Sequence, residues 1–551
     1  MKGILILLLR TMRKMDDLRI SIAQINSGVG DIEGNCSKIT DCIRSAKEAG
    51  ADVVVFHEMA ITGYPTKDLL LSDEFIASAQ AAADRIREES RGIAVIVGSI
   101  ERSGDGLYNT AFVFNDGVEI YTYHKRHLPN YDVFDEKRYF KQGNDTGVFE
   151  LLGRKMGISI CEDIWVPGGP ADSQAEAGAD ILINISASPF HYSKSGIRRN
   201  MLSGSASRNG VPIVYVNQVG GQDDLVFDGE SYAYNSKGEM IARAKPFNED
   251  LLTFALGDNP INEESLSTEE EVYEALKLGL RDFVQKNGFS KVVLGLSGGI
   301  DSALVAALAA DALSPENVMC VLMPSRYSSD HSINDAKELC ENFGIPYKVI
   351  AIEPAFRAFS DMLATAFEGT GQDTTEENIQ ARIRMINLYA MANKFGYMVL
   401  NTSNKSEAAI GYGTLYGDMA GDLSVIGDVP KTMVYALCRH VNELAGYGKI
   451  PENILTKEPS AELRENQKDS DSLPDYSTLD KIVHEYVEEV RSPEEIAKEE
   501  VDKTLLKDVV RKIDRAENKR YRSSPQIKIT PRAFGTGRRM PIANGYRHRV
   551  A

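Results

Sequence analysis

The sequence predicts an α/β protein of two domains, an α/β sandwich followed by a doubly wound parallel sheet. Three observations carry this. From Leu18 onward, short apolar runs of strand length alternate with stretches of helical spacing. A polar, acidic segment, NPINEESLSTEEE (259–271), interrupts the alternation near mid-chain. Beyond it, a strand, a Ser-Gly-Gly turn and an apolar helix follow one another within residues 292–310. A chain of 551 residues is also too long for a single core. The expected division is an extension at 1–17, a first domain at 18–258, a linker at 259–271 and a second domain at 272–551.

The extension, MKGILILLLRTMRKM, has an apolar run of six residues between charged flanks. That is too short to span a bilayer, and no small-residue cleavage site follows it. A frayed extension, or a natural start at Met12 or Met15, is the expectation; a signal-like segment is the alternative.

In the first domain ISIAQI (20–25), DVVVF (52–56), IAVIVGS (93–99), TAFVF (110–114), GISIC (157–161), ILINIS (181–186) and IVYVNQ (213–218) read as strands. Between them CSKITDCIRSAKEAG and FIASAQAAADRIREES have helical spacing. Three polar residues stand at strand ends: Glu58 after VVVFH, Lys125 after EIYTYH and Cys161 after MGISI. Singly, each has a plain explanation: an exposed Glu, a solvated Lys and a small buried Cys. Together they supply a thiol nucleophile, a base and a cation for a developing oxyanion, without histidine. His57 and His191 flank these motifs and read as packing residues.

Glu, Lys and Cys in this order at strand ends resemble the nitrilase, or carbon–nitrogen hydrolase, superfamily. The resemblance implies an αββα sandwich with Glu58 as general base, Lys125 steadying the tetrahedral intermediate and Cys161 forming a thioester. The backbone N–H of Glu162 would complete the oxyanion hole, and Glu136 would hold Lys125. Tyr131, Ser188 and Lys194 stand where glutamine-specific relatives contact the substrate's α-amino and α-carboxylate groups. Ser188 as a turn residue before Pro189 and Lys194 as a surface charge remain open alternatives.

After the linker a helix (VYEALKLGLRDFVQKNG) leads into the strand VVL (292–294) and then Gly295, Ser297, Gly298, Gly299, Asp301 and Ser302. Adjacent glycines leave no Cβ in a ligand's way, and N–H groups at a helix start suit an anion. An acid, Asp301, beside phosphates makes sense only with a divalent cation between them. The spacing is neither a Walker A loop nor a dinucleotide fingerprint. Ser-Gly-Gly-x-Asp-Ser instead resembles the pyrophosphate-binding loop of the N-type ATP pyrophosphatases, which bind ATP as co-substrate and fold as an adenine nucleotide α-hydrolase-like sheet.

A strand, VMCVLMPS, and the run 377–407 follow, ending in Thr402, Asn404 and Glu407; Glu407 with Asp301 gives two carboxylates for Mg2+. Downstream, YGDMAGDLSVIGDVPK supplies Asp418, for a ligand's polar edge, and Lys431, a cation for phosphate. These blocks, with KEPSAELRENQKDSDSLPDY (457–476) and ITPRAFG (529–535), resemble the NAD synthetase family. With the nitrilase-like half, the chain is identified as a member of its glutamine-dependent branch.

The resemblance implies ATP at Gly295 to Ser302 and Thr402, deamido-NAD at Arg384, Asp418, Lys431 and Lys519, and a lid at 457–476. Lys519, Arg520 and Arg522 either meet dinucleotide phosphates or balance an acidic neighbour. It also implies glutamine, ATP and deamido-NAD as small-molecule partners, an ammonia path through the protein and a homo-oligomer.

Net charge is −18, against a general nucleic-acid binder, and six scattered cysteines without a C-x-x-C pair fit reduced thiols in a cytoplasmic protein. No membrane partner is expected. The rival readings are an amidotransferase acting on another carboxylate and a nucleotide sensor with a vestigial amidase.

Overall fold

The computed structural model describes residues 15–471, 473–499, 501–546 and 548. The expected extension at 1–17 lies outside the described residues except for its last three, Met15–Asp17, a short 3-10 turn. The chain forms two compact units, dividing between Ser265 and Leu266.

The first unit contains two six-stranded sheets. One runs, in spatial order, Asp250–Ala255, Arg19–Gln24, Val53–Phe56, Ala94–Ser103, Gly106–Asn115 and Val118–His124. The other runs Met240–Arg243, Tyr232–Tyr234, Ile213–Asn217, Ile181–Ser186, Arg154–Ile160 and Val148–Leu151. Residues alternate across a strand, so each sheet has two apolar faces to bury. Ile20, Val53, Ala94 and Ala111 of the first sheet share a core with Ile158, Ile183 and Val214 of the second. The opposite face of the first sheet, with Val54 and Val95, is covered by the helices Ile32–Glu48 and Asp73–Glu89. That of the second, with Leu182 and Tyr215, is covered by Pro170–Glu176 and Lys194–Asn209. The layers are therefore αββα.

The parallel strands of this unit were legible as mainly apolar runs. The antiparallel ones were less so: Ala94–Ser103 and Gly106–Asn115 extend beyond the apolar runs into a long polar hairpin. Several three- to six-residue strands between Val148 and Ala255 carry too little pattern to find.

The second unit has a five-stranded, wholly parallel sheet in the order Tyr347–Val349, Val318–Leu322, Val292–Gly295, Met398–Asn401 and Leu423–Ser424. Val293, Val321 and Val399 face the helices Glu353–Leu363 and Thr374–Phe395. On the other side lies Ile300–Leu313, buried along nearly its whole length. Strand order reverses between Val292–Gly295 and Met398–Asn401, and ligands in open α/β sheets bind in the crevice at such a reversal. Both loops leaving those strands carry predicted site residues. Among the described residues, no helix is long and apolar enough to cross a membrane.

Candidate functional site

Glu58, Lys125 and Cys161 each lie one or two residues past the carboxyl end of a strand, at the ends of Val53–Phe56, Val118–His124 and Arg154–Ile160. All three are buried. The Lys125 ammonium donates to Glu58 Oε1 at 2.8 Å and to Glu136 Oε1 at 2.8 Å, a cation clamped between two acids. Asn109 Nδ2 donates to Glu58 Oε1 at 2.7 Å and the Ala187 N–H to Glu58 Oε2 at 2.8 Å, while the Tyr64 hydroxyl donates to Glu136 Oε1 at 3.0 Å. A buried carboxylate is tolerable only when its lone pairs are so occupied.

Burial disfavours charge on Lys125, Glu136 and Cys161. It works against the Lys125 ammonium, but Glu136 and Glu58 outweigh it and hold the charged form. Burial lifts Glu136 to about 7, against the pull of Lys125. The Cys161 thiol is pushed up by burial and by the Glu58 charge, with Lys125 opposing. Burial thus favours the neutral thiol.

Cys161 has φ +46°, a left-handed conformation costly for a residue with a Cβ. Asp163 holds this elbow. Its carboxylate accepts from Ile160 N at 3.1 Å, from His127 N at 2.8 Å and from the Tyr123 hydroxyl at 2.9 Å, tying the turn at Cys161 to the segment that carries Lys125. Asn109, Asp163 and the Ala187 N–H were missed in the sequence. Asp163, two residues past Cys161, was the one that proximity could have flagged.

The remaining predicted residues of this unit are more dispersed. The Tyr131 hydroxyl donates to both Glu162 carboxylate oxygens, at 3.1 and 2.9 Å. Ser188 is buried, and its N–H donates to Asn217 Oδ1 at 2.9 Å. Lys194 opens the helix Lys194–Asn209 and donates to Pro189 O at 2.7 Å.

His57 is fully buried, with Nδ1 2.8 Å from Glu58 O and Nε2 3.2 Å from Ser27 Oγ, so it steadies the backbone at Glu58. Burial draws its pKa from 6.5 down to about 4. The unfolded chain then binds the proton first, and stability falls as pH drops from about 6.5 toward about 4. In His57→Gln, the loss of unfolding free energy between pH 7 and pH 4 should shrink by on the order of 3 kcal/mol, measured by urea unfolding. An unchanged acid profile would remove His57 as its source.

In the second unit the turn after Val292–Gly295 is built by its own side chains. Ser297 Oγ and Ser302 Oγ lie 3.1 Å apart, Gly299 N donates to Ser297 Oγ at 3.2 Å, and Ser302 Oγ donates to Gly299 O at 3.1 Å. Gly298 has φ +79°, and a Cβ there would lie 2.2 Å from Ser332 O, so only glycine fits. Gly299 caps the helix Ile300–Leu313.

A cavity of about 310 Å³ opens over this turn. Gly295, Ser297, Gly299, Asp301, Ser302, Thr402, Arg384, Glu407, Asp418 and Lys431 line it; Gly298 supports the turn from behind. Asn404 Nδ2 donates to Asp301 Oδ1 at 2.9 Å, and Asn404 N to Glu407 Oε2 at 3.3 Å. The Lys431 ammonium pairs with Asp301 Oδ2 and lies 3.9 Å from Glu407 Oε1. Burial and the Asp301 charge push Glu407 up to about 8. Burial opposes the Lys431 charge, but Asp301 and Glu407 raise it overall. Two carboxylates sharing one ammonium are an electron-rich donor set suited to a hard divalent cation.

Arg384 donates to Met323 O at 3.1 Å, and burial draws its guanidinium down to about 10. Asp418 Oδ1 accepts from Thr414 N at 2.6 Å, and burial raises its pKa. Lys519 stands outside the cavity wall, its ammonium on Gly411 O at 2.7 Å and Gly413 O at 2.8 Å. Arg520 is committed elsewhere, buried against Glu517 and the carbonyl of Ile513. Residues 457–463 form one wall of the cavity, where the Glu462 carboxylate accepts from Ser329 Oγ at 2.9 Å and Ser332 Oγ at 2.7 Å.

Comparison with known proteins agrees with both halves. Residues 19–258 match the carbon-nitrogen hydrolase family and residues 272–523 the NAD synthase family. The glutamine-dependent NAD(+) synthetase of Thermotoga maritima is 43% identical over 97% of this chain and 100% of its own length. That of Aquifex aeolicus is 43% identical over 96% and 100%. The solved glutamine-dependent NAD+ synthetase of Acinetobacter baumannii, a complex with ADP, superposes with a TM-score of 0.79 at 38% identity, over 97% of this chain and all of that one.

Proposed function

The chain belongs to the glutamine-dependent NAD(+) synthetase family, a family of ligases that amidate deamido-NAD with ATP and glutamine, and from that membership we propose how its residues divide the work. The observation that carries the division is the pairing, in one chain, of the Glu58–Lys125–Glu136 clamp beside Cys161 with a serine-lined phosphate turn facing Asp301 and Glu407.

In the first domain (18–258), Cys161 Sγ attacks the side-chain carbonyl of glutamine while Glu58 takes the thiol proton. Lys125 and the Glu162 N–H stabilise the oxyanion, which is worth most in a buried, water-poor site. Glu58 then hands its proton to the departing nitrogen, ammonia leaves, and a Cys161 thioester remains. Water, deprotonated by Glu58, releases glutamate and restores the thiol. Tyr131, Ser188 and Lys194 are assigned to the α-amino and α-carboxylate ends of glutamine, and Glu162 binds it through its backbone N–H.

In the second domain (272–551), Ser297, Gly298, Gly299 and Ser302 cradle ATP phosphates, with Gly295 and Thr402 beside the nucleotide. Arg384, Asp418, Lys431 and Lys519 are assigned to deamido-NAD and to the charge that builds up as bonds break. Asp301 and Glu407 would hold Mg2+, which when bound neutralises phosphate charge and eases departure of pyrophosphate. The nicotinate carboxylate attacks the α-phosphorus of ATP, pyrophosphate leaves, and ammonia displaces AMP from the resulting anhydride. Activation is required because a carboxylate is a poor acyl donor, and ammonia must arrive unprotonated to be a nucleophile. The family resemblance supports a cytoplasmic homo-oligomer as the working form.

The test is NAD formation from deamido-NAD, ATP and magnesium with glutamine or ammonium as nitrogen source. Both should support synthesis, with AMP and NAD formed one for one. Absence of NAD from either source, with turnover of another carboxylate in a substrate panel, would move the chain to the rival amidotransferase reading.

A further inference from the structure

Lys431 is an unusual residue for its position. It is the first residue of the helix Lys431–Ala445, where the helix dipole disfavours a cation. Its side chain is nevertheless 2% exposed, and its N–H is fixed to Ser406 Oγ at 2.9 Å. The ammonium sits over the Tyr476 ring, 5.2 Å from its centroid, and meets Asp301 Oδ2 and Glu407 Oε1. Stability of the helix does not explain this placement; the two acids do.

The acids are arranged around a single cation. Asn404 supplies one neutral donor to each, its side chain to Asp301 Oδ1 and its N–H to Glu407 Oε2. That leaves Asp301 Oδ2 and Glu407 Oε1 turned toward the same ammonium. These are the oxygens that the proposed metal reading needs. A lysine ammonium and a divalent cation cannot share them at close range, because like charges a few ångströms apart in a buried site repel strongly. Ser297, Gly299 and Ser302 line the same cavity, so a lysine whose backbone stays fixed can carry its charge to the phosphate turn by rotating its four-carbon stem.

We propose that Lys431 is a resident counter-ion: its ammonium occupies the neutralising position between Asp301 and Glu407 until the phosphates of ATP draw it away, and a divalent cation is admitted only in that exchange. This rests on the reading of Asp301 and Glu407 as metal ligands. Cation and nucleotide then bind as a unit, each tightening the other by the same factor. The acids are never left without a positive partner, and the charge set free moves to the leaving phosphates.

The experiment is titration of the full chain with Mn2+, followed by the loss of the free-ion paramagnetic resonance signal, with and without a non-hydrolysable ATP analogue, the Mn2+ held by the analogue alone being subtracted from a protein-free control. In the wild type, Mn2+ alone should bind weakly, and the analogue should tighten the site. Lys431→Met, which removes the charge but keeps the stem, should bind Mn2+ alone about tenfold or more tightly than the wild type. Lys431→Arg, which keeps the charge, should retain the wild-type exclusion, and Asp301→Asn placed on Lys431→Met should abolish the gain. If the wild type takes Mn2+ equally well without nucleotide, or if Lys431→Met gains nothing, the exchange is overturned while the metal reading stands. If no Mn2+ binds even with the analogue, the metal reading falls and takes the exchange with it. Equal Mn2+ binding by the wild type with and without nucleotide overturns the exchange even where a variant fails to fold.

Discussion

Cys161→Ala should abolish glutamine-supported NAD synthesis, by roughly 10⁴-fold or more, while ammonium-supported synthesis persists. The size follows from the role: with no sulfur there is no acyl intermediate, and the remaining Glu58, Lys125 and backbone donors cannot split an amide between two easier steps. The substitution is also small in volume at a buried position, so misfolding is not the expected outcome. Parallel assays with the two nitrogen sources separate the effects. A variant that still hydrolyses glutamine would show that Cys161 is not the nucleophile, and equal loss with ammonium would show that the second site depends on this thiol.

Asp301→Asn should have the mirror-image phenotype. Asparagine keeps the shape and can still pair with Asn404, but it removes the charge that faces Lys431 and, in the proposed reading, a metal ligand. NAD synthesis should fall on the order of 10²- to 10³-fold with glutamine and with ammonium alike, because the lost term is electrostatic stabilisation of the phosphate transfer. Glutamine hydrolysis, measured as glutamate release, is the contrasting readout and should survive. Loss confined to the glutamine reaction would place Asp301 outside the adenylating site.

The two sites were legible to different degrees, for physical reasons. Glu58 and Cys161 stood out because each follows a strongly apolar run, and a strand end is where a sheet presents a side chain; Lys125 follows the mixed run VEIYTYH and stood out only by its strand-end position. The phosphate turn was local, contained in residues 294–303, so its chemistry and shape came together. What holds these residues was not local. Asn109 reaches Glu58 from a strand two places away in the sheet, and the Ala187 donor is a backbone group with no side-chain signature. Lys431 shows the same limit: it was read as a phosphate cation, but its place between Asp301 and Glu407 joins positions 130 residues apart in sequence. Arg520 shows the reverse, a charge in a basic stretch that the fold spends on Glu517.

The first unit closes in an order set by its pairing. Arg19–Gln24 takes Val53–Phe56 on one side and Asp250–Ala255 on the other, with Gln24 opposite Asp250. As the polypeptide leaves the ribosome, the earliest strand therefore waits with one flank bare until the last arrives more than two hundred residues later. An unpaired flank is an invitation to pair wrongly, so this half passes through a stage of synthesis in which it needs shielding. The same pairing brings the unit's entry and exit strands side by side, a geometry in which a module can be excised, permuted or spliced onto another catalyst without opening its core.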